Sequence, residues 1–347
     1  MSPFNANAIT RVEIRDFLVF KGEFAADFCP GVNVLIGGNG SGKTTLMKVM
    51  YAACQFSGGG DKTWDKKSGV YDRGDDFSRV FSNHFIAKPG EYSAKVVVAG
   101  KELRTASDGH RFRGLGGGYP KVNTLFIPVT NVLAHAEGML ELNSKYKIPF
   151  DQTEIDMLVN IGLPDAREVS PLSKLLLKKI GGIIYGEVVN LDGVFYVKKS
   201  DDELIEAALD ADGYNKFGLL WKLLRNGLLE PGSVLFWDEP EASVNPELIP
   251  TLVDILLELR RGGVQIFVAT HSYDVARWFE LSVKPGDALR YLNLRKTASV
   301  IAADAADDYV SLTNCLIEDA GDMLLRRVTE AVNAASCYKS AAGTASA

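Results

Sequence analysis

The segment Gly37-Gly38-Asn39-Gly40-Ser41-Gly42-Lys43-Thr44 constrains this chain more than any other stretch. It follows the apolar run Val32-Asn33-Val34-Leu35-Ile36 and precedes Leu46, Val49, Met50 and Ala53 at helical spacing. Strand, loop and helix therefore succeed one another in the order a phosphate-binding loop requires. Glycines let consecutive backbone N–H groups turn toward one phosphate, and the helix behind them presents its positive end. In that arrangement Lys43 reaches the β- and γ-phosphates, the Thr44 hydroxyl can hold Mg²⁺, and Gly37 through Thr45 are the candidate nucleotide-binding residues. A glycine-rich surface loop is the alternative in a chain with 33 glycines, but it leaves the flanking apolar pattern unexplained. The predicted ligand is a nucleoside triphosphate with Mg²⁺.

At 347 residues with 46% hydrophobic content, the chain can bury the core of one large domain or two ordinary ones. No uncharged apolar run approaches the roughly 20 residues of a membrane span. The start, Met1-Ser2-Pro3-Phe4-Asn5, lacks the blocks of a signal peptide, so a cytoplasmic address without membrane contact is expected. Cys29, Cys54, Cys315 and Cys337 are far apart and form no Cys-x-x-Cys pair, which suggests ordinary thiols. A net charge of −6 gives no global pull toward nucleic acid. Local basic clusters at Lys62/Lys66/Lys67 and His110/Arg111/Arg113 are readable as solvated loops or as DNA contacts.

Strand signals lie at residues 8–14 and 23–28, and a hairpin is expected where residues 92–98 and 101–105 flank Ala99-Gly100. Helical intervals broken at Pro149, Pro164 and Pro171 predict a helical insertion over about residues 131–182. Strands are expected at 186–190 and 194–198, and residues 204–209 suit a third strand or a short helix. After Gly213 helix and strand alternate, which argues for a parallel sheet flanked by helices. Phe217, Leu220, Trp221 and Leu224 share a helix face closed by Gly227, and Val234-Leu235-Phe236-Trp237 reads as a strand buried on both sides. Asn245 and Pro246 then suit the start of a helix through Leu259, in which Pro250 should cost one hydrogen bond. Strands at 266–269, 288–294 and 299–302 and a helix from about Asp308 to Ala335 complete one domain, residues 1–335. Residues 336–347 read as a disordered tail.

Asp238 and Glu239 leave the end of the Val234–Trp237 strand, and His271 ends the next buried strand in Ala269-Thr270-His271-Ser272. Asp238 can orient Mg²⁺ and Glu239 can polarise an attacking water as general base. His271, on the ligand side of an open α/β sheet, suits a γ-phosphate sensor. An acidic pair can also be a turn feature, and a histidine can cap a surface loop.

These residues resemble the ABC-type ATPases: Gly37–Thr44 is similar to the Walker A motif, Val234–Glu239 to Walker B, Ser243-Val244-Asn245-Pro246 to the D-loop, and His271 to the switch histidine. The wording from Asp238 to Pro246 looks closest to the soluble branch of RecF, SMC-type and OLD-family ATPases, and the resemblance spans residues 8 to about 300. It implies an α/β P-loop fold with a mixed, largely parallel sheet, an N-terminal antiparallel β lobe and a helical insertion. It also implies ATP and Mg²⁺ as ligands and a head-to-tail homodimer around ATP, each phosphate loop completed by the partner's signature motif.

The transporter form Leu-Ser-Gly-Gly-Gln is absent. In its place stands Asp212-Gly213-Tyr214-Asn215-Lys216, where Gly213 and Lys216 are candidates to face a γ-phosphate across the dimer, with Asp212 as N-cap. The same segment also suits a capped core helix. Gln152 is the candidate Q-loop residue, Gln55 being too close to the phosphate loop. No sustained heptad separates the Walker motifs, and the residues after His271 lack the clustered acids of a Toprim nuclease. The resemblance therefore suggests a stand-alone ATPase whose dimer gates a separate effector protein, in anti-phage defence or toxin regulation. A RecF-like DNA-binding clamp in repair is the alternative, and a transporter subunit is disfavoured by the missing signature.

Overall fold

The computed structural model describes residues 7–58, 63–65, 70–72, 80–81, 92–105, 112–114, 122–146, 151–297, 300–315, 323 and 326–331. In chain order the strands begin with β1 (Ile9–Phe17), β2 (Phe20–Asp27) and β3 (Val32–Ile36), followed by helix α1 (Lys43–Gly58). Next come β4 (Thr63–Asp65), β5 (Val70–Asp72), β6 (Ser93–Val98), β7 (Lys101–Thr105), β8 (Phe112–Gly114) and β9 (Thr124–Ile127). Three helices follow, α2 (Met139–Tyr146), α3 (Gln152–Gly162) and α4 (Pro171–Ile184), then β10 (Gly186–Leu191), β11 (Val194–Lys199) and β12 (Leu204–Glu206). The last third alternates: α5 (Asp212–Arg225), β13 (Val234–Asp238), α6 (Ile249–Arg261), β14 (Gln265–Thr270), α7 (Tyr273–Ser282), β15 (Leu289–Thr297) and β16 (Val300–Ala306).

Strands apolar at every position need cover on both faces, and that requirement produces the central sheet. Its order is β16-β15-β3-β14-β13-β9, with β16 antiparallel at one edge and every other neighbouring pair parallel. Because side chains alternate along a strand, each strand feeds two cores. Val32, Val34, Leu235, Trp237, Ile266 and Val268 face one core, shared with α3 to α7. On the other side Leu35, Val234, Phe236, Phe267 and Ala269 meet α1 and the N-terminal strands. There Phe126, Phe236 and Phe267, from three neighbouring strands, form a ring ladder with centroids 6.1 and 5.0 Å apart. Tyr51 of α1 and Phe28 close on its ends edge-to-face.

The N-terminal lobe is an antiparallel sheet, β2-β1-β6-β7-β8, and a smaller sheet, β10-β11-β12, lies between α4 and α5 in sequence. Gln265 stitches the lobe to the central sheet. Its side chain is fully buried; Oε1 accepts from Ile9 N at 2.8 Å, while Nε2 donates to Ile9 O and Cys29 O, each at 2.8 Å.

Local chemistry differs from the sequence expectation at three points. The stretch after Asn245 opens as a 3₁₀ turn over Pro246–Leu248, with Asn245 accepting from Glu247 N, and α6 starts only at Ile249. Pro250 therefore sits in the first turn, where its missing N–H has no intrahelical acceptor to lose. Residues 204–209 divide into strand β12 and a 3₁₀ turn at Ala207–Leu209, so both expected forms occur in succession. From Asp308 the chain makes turns rather than a helix, because the Asp308 carboxylate takes the backbone N–H and hydroxyl of Ser311. Helix is described only at residues 323 and 326–331 of that segment, and residues 336–347 lie outside the described residues.

Replacing Gln265 with Leu leaves the Ile9 amide and two carbonyls without partners in a dry interface. A loss of about 1–3 kcal/mol in unfolding free energy is expected from urea titration. A change below roughly 0.5 kcal/mol would show that the stitch contributes no more than a surface contact.

Candidate active site

Parallel pairing brings three loops to one edge. In the register Ile36 of β3 lies beside Thr270 of β14, and Ala269 of β14 beside Asp238 of β13. The phosphate loop, the acidic pair and His271 thus leave the carboxyl ends of three adjacent strands, the position where open α/β sheets hold ligands.

The loop's backbone is built for close approach. Gly40 and Gly42 have φ of +73° and +95°, and a Cβ on Gly37 would lie 2.3 Å from the Leu294 carbonyl oxygen and 2.7 Å from Ser41 Oγ. Gly38 is half-buried, while Asn39 and Gly40 form the exposed tip. Lys43 is buried, with Nζ donating to Gly37 O at 2.6 Å and Gly38 O at 3.3 Å. Burial pushes its ammonium below the ordinary lysine range, against the pull of Asp238 and Glu239. Thr44 Oγ1 donates to Asp238 Oδ2 at 2.7 Å across 194 positions of sequence, and Thr45 is half-buried beside it. Burial raises the Asp238 carboxyl, with the Thr44 hydrogen bond working against the rise.

The residues fit a triphosphate with Mg²⁺. Ser41 Oγ is buried without a protein partner inside the loop, as a donor reserved for an anion would be. Thr44 and Asp238 offer hard oxygen ligands, and the described residues hold no cage of three or more His, Cys, Asp or Glu. Mg²⁺ typically takes only one or two protein oxygens and draws the rest from phosphates and water.

Glu239 and His271 form a pair, with His271 Nδ1 3.1 Å from Glu239 Oε1. Glu239 holds the left-handed conformation, φ +48°, its N–H donating to Ala269 O at 2.8 Å. Thr270 Oγ1 donates to Glu241 Oε1 at 2.5 Å and accepts from Ser272 N at 2.9 Å, pinning the two loops together.

Gly213 and Lys216, the two residues expected to face a partner's phosphate, are buried within their own chain. Lys216 is only 7% exposed and its Nζ donates to Glu239 O of the same chain at 2.7 Å. Burial brings this ammonium down to about 8, opposed by Glu241, Glu239, Asp212 and Asp238 in that order. Gly213 is buried, and a Cβ there would lie 2.7 Å from Ser243 O, so this glycine serves packing of α5 on the turn after the acidic pair. Asp212 is not the N-cap. Ala211 occupies that position, and Asp212, in the first turn, accepts from Asn131 Nδ2 at 2.7 Å.

Gln152 is spent on its own helix, Nε2 donating to Asp156 Oδ1 at 2.9 Å, and Gln55 Nε2 reaches Thr124 Oγ1 at 3.3 Å. Asp151 instead joins α3 to the phosphate-loop helix by pairing with Lys48 and capping Thr153 N. Sequence reading missed this link, since nothing local relates partners so far apart; the cap signal of Asp151 before Thr153 was the one visible trace. Lys62, Lys66, Lys67, His110 and Arg111 lie outside the described residues, as does the Arg113 side chain.

Comparison with known proteins gives two family matches. Residues 112–276 match "AAA domain, putative AbiEii toxin, Type IV TA system", and residues 11–104 match "AAA domain". No curated protein matches the chain. Among solved structures, an SmcHead bound to the C-winged helix domain of ScpA is 13% identical, with a TM-score of 0.52 over 86% of this chain and 97% of that one. An SMC head domain from Thermotoga maritima is 12% identical, covering 86% and 98% with a TM-score of 0.46. A nucleotide-free ATP-binding cassette from an ABC transporter is 14% identical, covering 89% and 95% with a TM-score of 0.43. The first likeness establishes a P-loop head fold with a parallel sheet core and an antiparallel N-terminal lobe.

Lys43→Ala is expected to weaken Mg-ATP binding tenfold or more in equilibrium titration, because a charge-assisted hydrogen bond contributes about 1.5–3 kcal/mol. Unchanged affinity in a folded variant would remove Lys43 from the site.

Proposed function

We propose that this chain, which carries an ABC-type AAA domain, binds ATP with Mg²⁺ and hydrolyses it to ADP and phosphate. The observation that carries the proposal is the convergence of the phosphate loop, Asp238-Glu239 and His271 on adjacent strand ends, joined by the Thr44–Asp238 and Glu239–His271 contacts.

Residues Gly37 to Ser41 cradle the phosphates through backbone N–H groups and the Ser41 hydroxyl, and Lys43 neutralises β- and γ-phosphate charge. Thr44 and Asp238 hold Mg²⁺, which when bound supplies charge stabilisation to the phosphates. Glu239 accepts the proton of the attacking water. His271, in reach of that carboxylate, orients it and senses the γ-phosphate.

Two chains close head to tail around ATP, and hydrolysis reopens them. The family description naming an AbiEii toxin and a Type IV TA system supports a setting in toxin regulation or defence, with the closing dimer gating a separate effector. The transporter signature Leu-Ser-Gly-Gly-Gln is absent from the sequence, which disfavours a transporter subunit.

Glu239→Gln is expected to lower turnover at least a hundredfold, in line with the contribution of a general base, while retaining ATP. Light scattering should then find an ATP-dependent dimer that persists, and chelation of Mg²⁺ should dissolve it. Wild-type turnover in the variant would remove Glu239 as the base. Turnover that requires duplex DNA and falls steeply with salt would favour a DNA clamp over the effector-gating ATPase.

A further inference from the structure

Lys216 is one of two buried lysines on α5; the other, Lys222, pairs with the carboxylate of Asp165 at 2.8 Å. Asn215 through Leu224 are all buried, and the Lys216 ammonium is directed at the turn that follows β13. A buried ammonium is costly unless opposite charge and hydrogen bonds surround it. Glu241, Glu239, Asp212 and Asp238 supply the charge, and the carbonyl of Glu239 receives the proton donor at 2.7 Å.

That carbonyl belongs to a residue in an unfavourable conformation. A non-glycine residue at positive φ is unfavourable and persists where its surroundings over-determine it. Glu239, at +48°, is held from every side. Its N–H donates to Ala269 O, its carbonyl accepts from Ala242 N at 3.1 Å as well as from Lys216, and its carboxylate pairs with His271. Of these restraints, Lys216 alone comes from outside β14 and the loops that follow β13 and β14.

Lys216 also sits one turn from Gly213, where the start of α5 lies directly on Ser243 and Val244. The helix start and the turn therefore meet twice, once through backbone packing and once through the ammonium.

We propose that Lys216 is a positioning residue for hydrolysis: by clamping the Glu239 carbonyl it holds the left-handed turn that aims the Glu239 carboxylate, and it ties that aim to the N-terminus of α5. The inference rests on the reading of Glu239 as general base. It gives Lys216 a task within its own chain, acting through Glu239 and not on phosphate.

The test compares wild type with Lys216→Met, Lys216→Arg, Glu239→Gln and the Lys216→Met/Glu239→Gln double variant in steady-state Mg-ATP hydrolysis. Amide hydrogen exchange is followed in the same full-length proteins without nucleotide. Lys216→Met is expected to lower kcat tenfold or more with KM within twofold, and Lys216→Arg to recover part of the loss. Added to Glu239→Gln, the methionine should change the residual rate less than twofold, because the carboxylate it positions is already gone. Exchange at residues 239–244 should accelerate at least tenfold in Lys216→Met, while β13 and β14 stay protected and report an intact fold.

A raised KM with unchanged kcat would overturn the clamp in favour of direct phosphate contact. An undiminished effect on the Glu239→Gln background, or unaltered exchange in the turn, would also overturn it. Equal turnover by wild type and Glu239→Gln would sink the assignment of the base and the clamp's part in hydrolysis with it. Wild-type kcat in Lys216→Met, with Glu239 still required, would sink the clamp alone.

Discussion

The parallel register of β3, β14 and β13 is the constraint on which the rest depends. Hydrogen bonding of Ile36 beside Thr270 and of Ala269 beside Asp238 fixes where each strand stops, and each stops within a residue of its neighbour. A slip of two residues would keep the apolar faces in place but draw the loops out of reach. The pairing is guarded by cover on both sides: the phenylalanine ladder lies across β9, β13 and β14 on one face, and Val34 of β3, Trp237 of β13 and Ile266 and Val268 of β14 pack into the core on the other.

Much of this was legible because the central strands are short and mostly apolar, and such runs between turn residues have few other solutions. The phosphate loop was legible because glycine spacing, lysine and threonine serve one geometry. The direction of Lys216 was harder to read. A lysine near a helix start suggests an exposed cation, and only the stretch from Phe217 to Leu224, apolar save for Lys222, hinted at burial. The Lys48–Asp151 pair showed in the sequence only as the cap position of Asp151, because its partners meet only through the tertiary fold. At Asp308 the sequence pattern suggested a helix, yet a short acidic side chain next to Ser311 made a turn the better use of the backbone.

The acidic turn concentrates cost and compensation in a few residues. A left-handed Glu239 and a buried, partnerless Glu241 Oε2 lie within one short turn, and the buried Lys216 ammonium of α5 reaches into it. Each is unfavourable alone, and the neighbours offset one another through charge. Strain of this kind gathers where chemistry is done and is retained because surrounding elements over-determine it.

The order of strands also sets a timetable for synthesis on the ribosome. β3 is made early, yet both of its neighbours, β14 and β15, come from the last third of the chain. Until they emerge, an uninterrupted run of apolar backbone has no sheet to join, and the Gln265 stitch to Ile9 closes a loop of 256 positions. High contact order of this sort slows folding and leaves sticky edges open to mispairing. Shortening the chain from its far end would strand the phosphate loop without the scaffold that shapes it.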